Sequence, residues 1–121
     1  MTLTLFITEG KLFEKGIACY ENALKIAPDF TDVWTILIST YADSNQHTEA
    51  IDTFEQFWNE YELPDKGNYL WSAVFVVEQS YIEEGKQKQL YQTYSQIIRS
   101  GIEDEELQAR FLKLKESMAK E

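Results

Sequence analysis

A block of about 34 to 40 residues recurs along this chain. Shifting the sequence by 34 residues superposes Leu3 on Leu37, Ile7 on Tyr41, Gly16 on Ala50, Ile17 on Ile51 and Tyr20 on Phe54. A further shift of 40 superposes Leu37 on Val77, Tyr41 on Tyr81, Asn45 on Gly85, Ala50 on Leu90 and Phe54 on Tyr94. Each block holds two stretches with apolar residues three and four apart, the spacing of an amphipathic helix. One helix pair of this length cannot bury its own apolar face, whereas a stack of pairs can. No segment alternates with period two for long, so the expectation is all-α with no strand.

Polar or Gly- and Pro-bearing breaks fall at "TEGK", "APDFT", "ADSNQ", "ELPDKGN", "EEGKQ" and "RSGIEDEE". The longer second shift is absorbed near "ELPDKG", where Pro64 and Gly67 permit a longer loop. Pro28 ends one helix, Asp29 or Thr31 is placed to cap the next, and Thr48 can cap the helix carrying Ala50 and Phe54. Gly85 suits a turn that needs a positive φ. The last segment opens on "EDEE" and carries Lys113, Lys115 and Lys120 toward its end, which complements a helix dipole. Its single stripe of Leu107, Phe111, Leu114 and Met118, with polar groups elsewhere, is that of a helix closing an end of the structure.

Composition limits the function. With 121 residues, 44% hydrophobic and 14% aromatic, the chain has the material for one folded domain over residues 1–121. Eleven basic against twenty-one acidic residues give a net charge of −10, which disfavours nucleic acid and anionic lipid surfaces as partners. No Lys or Arg falls between Lys25 and Lys66, a span holding Asp29, Asp32, Asp43, Glu49, Asp52, Glu55, Glu60, Glu62 and Asp65. That run reads either as a solvated acidic surface or as a docking face for a basic partner. Cys19, the single cysteine, has no internal disulfide partner and sits beside Ile17 and Tyr20, so a buried, inert thiol is expected. The opening "MTLTLFITEG" has no basic region, and its apolar run is too short for a signal peptide or a membrane span. The expected compartment is cytoplasmic, with no membrane insertion.

The repeat resembles a known family. Trp34-x-x-Leu37-Ile38-x-x-Tyr41 followed by Ala50-x-x-x-Phe54 is similar to the W-x2-L-G-x2-Y…A-x3-F pattern of tetratricopeptide repeats (TPR). In the first block Gly16, Tyr20, Ala23 and Pro28 match the family's second-helix small residue, aromatic, alanine and terminal proline. The third keeps Tyr81, Gly85 and Tyr94, with Leu90 at the small position. The second departs at Ile38, Phe57 and Glu62. The resemblance implies a right-handed α-α superhelix of helix-turn-helix repeats, at about 1–30, 31–64 and 68–101, with a C-terminal capping helix at about 103–120. The first repeat is expected to be incomplete. Small residues at Gly16 and Ala50 would let paired helices approach closely, while Tyr20, Phe54 and Tyr94 fill the space between pairs.

Catalytic and cofactor chemistry find little support. His47 is the only histidine, so a turn-packing or exposed role is expected rather than catalysis or metal binding. Carboxylate pairs such as Glu83 with Glu84, or Glu105 with Glu106, read as solvated charge. No phosphate loop, nucleophile–base set or EF-hand pattern occurs, and no enzyme, cofactor or metal is expected. Trp34 fits a core position. Trp58 and Trp71, with Tyr61 and Tyr69, either cover irregular packing beside the long loop or form an aromatic contact surface.

TPR proteins generally bind peptides or protein segments in a concave groove lined by the first helix of each pair. The resemblance places that groove at Asp32, Thr35, Ser39 and Asp43, and at Ser72, Phe75, Gln79 and Glu83 in the following repeat. Each set keeps to one helical face, off the stripe of Trp34, Leu37 and Tyr41. None of the eight is the Lys, Arg or Asn with which chaperone-binding members hold a terminal carboxylate. The expected function is a non-catalytic protein-binding scaffold or adaptor whose partner segment carries a basic and an apolar residue. The alternative is the end module of a larger assembly or a homo-oligomer, packing through an apolar edge at Leu3, Leu5 and Phe6.

Overall fold

The computed structural model describes the backbone of residues 2–62, 64 and 69–120, and the side chains among these from residue 12 onward. Among the described residues the chain is all-α, with six α-helices and no strand: α1 (Thr2–Ile26), α2 (Thr31–Asp43), α3 (His47–Glu60), α4 (Ala73–Glu83), α5 (Gln87–Arg99) and α6 (Glu105–Ala119). A 3-10 turn at Leu70–Ser72 leads into α4. No described helix is long and apolar enough to cross a membrane.

The break expected at "TEGK" does not form, because α1 runs through Gly10 without interruption. A lone glycine costs a helix only about 1 kcal/mol relative to alanine and, without a proline, is a weak breaker. The first block is therefore one long helix rather than an incomplete pair. Leu3, Leu5 and Phe6 lie on this helix, but their side chains fall outside the described residues.

The next two blocks form matching hairpins, α2–α3 and α4–α5. In the first turn Ser44, Asn45 and Gln46 donate backbone N–H groups to Thr40, Ala42 and Tyr41 at 3.1, 3.1 and 2.8 Å. In the second, Glu84, Gly85 and Lys86 donate to Ser80, Ile82 and Tyr81 at the same three distances. Asn45 at φ 64° and Gly85 at φ 68° both take the left-handed conformation. That is the turn chemistry expected of Gly85, and asparagine is among the few other residues that enter this region readily. The caps expected from Asp29, Thr31 and Thr48 do not occur: α2 starts after Phe30 and α3 after Gln46, neither with a side-chain cap. Among the described residues the side-chain cap is that of α6, where Asp104 Oδ1 accepts from the Leu107 N–H at 2.9 Å.

Each hairpin leans on the one before it. α2 packs on α1 and α3, α4 packs on both α2 and α3, and α6 covers α5. Leu37, Ile38, Ala50, Phe54, Phe57, Val77, Tyr81, Leu90, Tyr94 and Leu107 are buried in one continuous core. The Phe54 ring meets Tyr81 edge-on at 6.2 Å across the boundary between the hairpins, and Tyr91 stacks on Phe111 of α6 at 5.0 Å. Trp58 and Trp71 are both buried and Tyr61 is half-buried, whereas Tyr69 is exposed, so the four rings do not form one aromatic surface. Trp34 Nε1 donates to the Pro28 carbonyl at 2.8 Å, and the Tyr61 hydroxyl donates to the same oxygen, pinning the α1–α2 link.

Two packing expectations change. Ala50 is fully buried, but a Cβ at Gly16 would meet only Tyr20 Cε2, at an ordinary 3.6 Å. The site at Gly16 therefore has room for a Cβ, whereas Ala50 is enclosed on all sides. Cys19 is exposed rather than buried. Ile17, Tyr20 and Leu24 form the packed side of α1, and Cys19 lies on the opposite face of the helix.

Candidate functional site

The eight positions expected to line a groove fall on α2, on the 3-10 turn (Ser72) and on α4, and they divide by burial. Asp32, Asp43, Gln79 and Glu83 are exposed, while Thr35, Ser39, Ser72 and Phe75 are half-buried. Thr35 Oγ1 donates to the Asp32 carbonyl at 2.8 Å, and Ser72 Oγ to the Tyr69 carbonyl at 2.7 Å. Both hydroxyls thus bond back to a carbonyl three residues earlier in their own segment. Gln79 Nε2 donates to Glu83 Oε1 at 2.9 Å, one helical turn on. Ile36 and Val76, at equivalent places in the two hairpins, are exposed large apolar residues on the same helices. Sequence reasoning passed over both because they lie off the buried stripe.

Phe75 is not an open aromatic contact. Its ring meets Trp71 edge-on at 5.7 Å and Tyr94 at 6.3 Å, and the Arg110 guanidinium lies over it, 4.5 Å from the ring centre. Arg110 also donates to Glu78 Oε2 at 2.9 Å and to Glu106 Oε1 at 2.8 Å. Glu78 in turn accepts from the Tyr94 hydroxyl at 2.5 Å. One arginine of α6 therefore binds α4 by charge and by its aromatic floor. Burial, with the Glu78 carboxylate beside it, pushes the Tyr94 hydroxyl well above its ordinary range. The sequence carried no signal for this network, since periodicity does not say which charges meet.

Two of the clefts among the described residues lie at the turn-bearing ends of the hairpins. The first, about 720 Å³, opens between α1 and the α2–α3 turn. Its carboxylates are Glu14, Glu21, Asp43 and Glu49, its apolar residues include Phe13 and Ile17, and among the described residues no Lys or Arg lines it. Inside it the Tyr41 hydroxyl donates to Glu21 Oε1 at 2.6 Å. Burial and then that carboxylate push the Tyr41 hydroxyl up to about 12. The equivalent pair in the next hairpin is Tyr81 donating to Glu55 at 3.2 Å. The second cleft, about 430 Å³, lies between α4 and α6, with Gln79, Ile82, Arg110, Lys113, Leu114 and Ser117 in its walls. The groove positions are thus split, with Asp43 in the first cleft and Gln79 in the second.

His47 is a packing residue: its Nδ1 lies 2.8 Å from the fully buried Ser80 Oγ and ties α3 to α4. Among the described residues, no group of three or more His, Cys, Asp or Glu converges where it could hold a metal ion. The chain matches no protein-family model and no curated protein.

Proposed function

We propose that this chain is a non-catalytic, TPR-like interaction module that holds an extended segment of a protein partner along α2, α4 and α6. In this reading the hairpins form a right-handed superhelix closed by α6, and the row of first helices is its concave side. The observation that carries the reading is the equivalence of the two hairpins, whose turns repeat bond for bond. Repetition of that kind sets successive first helices side by side and leaves their outer faces as one surface. That surface carries acidic groups, neutral hydrogen-bonding groups and the exposed side chains of Ile36 and Val76, a composition suited to an extended chain with alternating polar and apolar residues. The test is the affinity of a co-purifying partner for Asp43→Lys and Gln79→Glu variants. Both residues are exposed, so the fold tolerates the changes. Weakened binding in either supports the groove, and unchanged binding in both rejects it.

The second reading is self-association or assembly through α1. It rests on Leu12, 62% exposed, with Cys19 exposed on the same helix. Light scattering over a range of concentrations tests it: a dimer lost on Leu12→Asp supports this reading, and a strict monomer rejects self-association.

A further inference from the structure

The two clefts differ in sign. Among the described residues the α1–α2 cleft is lined by four carboxylates and no cation, whereas the α4–α6 cleft holds Arg110 and Lys113 against the single carboxylate of Glu78. In a chain of net charge −10 the second cleft is the exception. Both clefts lie at the turn-bearing ends of the hairpins: Ser44, Asn45 and Gln46 line the first, and Ile82 and Gln87, either side of the equivalent turn, line the second. The edge of the molecule that joins them is therefore electrically polar from end to end.

We propose that the α4–α6 cleft takes an acidic side chain of the partner and the α1–α2 cleft takes a basic one, so that the bound segment runs in one direction only. This inference rests on the groove reading above and adds the chemistry of the ligand. Arg110 is already engaged by Glu78 and Glu106, while Lys113 has no ion-pair partner among the described residues. The incoming carboxylate meets the Lys113 ammonium, with the Ser117 hydroxyl and the Gln87 amide as neutral donors. Ile82 and Leu114 supply an apolar wall for the residue beside it. At the other end Asp43 and Glu49 face a partner Lys or Arg, whose alkyl stem lies on Phe13 and Ile17. The clefts are about two helix spacings apart, roughly 20 Å at 8–10 Å per spacing. An extended segment crosses that distance in about six residues. Binding in the reverse direction sets like charges against each other at both ends, which is how such a surface selects one orientation.

The test selects displayed random peptides on the immobilised full chain. Selected sequences are then synthesised with acetylated and amidated ends, and their affinities are measured by fluorescence anisotropy. Amidation ensures that any carboxylate read by the cleft belongs to a side chain. The expected peptides carry a basic and an acidic residue about six positions apart. The Lys113→Glu variant should bind them about ten-fold more weakly and recover when the peptide's acid is replaced by lysine. Lys113 is exposed, and retained helicity verifies that the variant folds. Selected peptides without an acid, or affinities within two-fold for Lys113→Glu, overturn the proposal. Peptides sensitive to Asp43→Lys but indifferent to Lys113→Glu overturn the polarity and leave the groove standing. Peptides indifferent to both overturn the two together.

Discussion

Asn45 and Gly85 occupy the same left-handed position of two equivalent turns, each donating its N–H to the carbonyl three residues back at 3.1 Å. A Cβ on Gly85 would meet nothing within 4 Å. Any cost of substitution there is conformational rather than steric. Gly85→Ala should cost about 1 kcal/mol and Gly85→Asn clearly less, because asparagine tolerates this region. Urea unfolding of the three proteins measures the difference, and equal losses for Ala and Asn would mean that the turn is not held at positive φ.

Gly16 and Ala50 separate two roles that the repeat pattern assigns alike. Gly16→Ala should stabilise the chain by about 0.5–1 kcal/mol, since it removes a helix-interior glycine without a clash. Ala50→Leu should destabilise it by about 1–3 kcal/mol through overpacking of a fully buried site. Thermal unfolding distinguishes the two signs.

Arg110 joins α6 to α4 through Glu78 and the Phe75 ring. Arg110→Ala should cost about 1–2 kcal/mol, with the charge-assisted bond discounted for partial exposure. Arg110→Lys should recover only part of that, because an ammonium cannot both lie flat on the ring and fork between Glu78 and Glu106. Hydrogen exchange should show the loss concentrated in α6 (Glu105–Ala119).

Alkaline pH should loosen the junctions between helices. Tyr41 loses its proton near pH 12 in the folded chain and near 10 when unfolded. Its contribution is fully present below pH 10 and is lost as the pH rises through 12, because the unfolded chain releases the proton first. Tyr81 and Tyr94 are raised in the same direction, chiefly by burial and then by Glu55 and Glu78. Melting temperatures between pH 9 and 12 should fall, and the Tyr41→Phe protein should fall less steeply over that window. Parallel slopes would contradict the assignment.

The helix pairs were legible in the sequence because apolar spacing is a local signal with a physical period. Leu37 and Val77, Ala50 and Leu90, and Phe54 and Tyr94 were paired by position and are all buried. Asn45 and Gly85 could be aligned because few residues accept a left-handed turn. What escaped depended on contacts between distant residues. α1 continues through Gly10 because a glycine is punctuation only when its surroundings agree. Cys19 is exposed because it lies on the face of α1 opposite Ile17, Tyr20 and Leu24, although it neighbours them in sequence. Phe75 was placed in an open groove, but Trp71, Tyr94 and, from a helix far along the chain, Arg110 enclose its ring. Ile36, Val76 and Lys113 complete the candidate surface from positions that no spacing rule singles out.

The proposed module holds its partner on the side formed by α2, α4 and α6. Photo-crosslinking residues placed singly at Gln79 on α4 and at Gln92 on the outer side of α5, both exposed, test it in native extracts. The account predicts a discrete adduct with a partner protein from Gln79 and none from Gln92. An adduct from Gln92, with Gln79 silent, would contradict it.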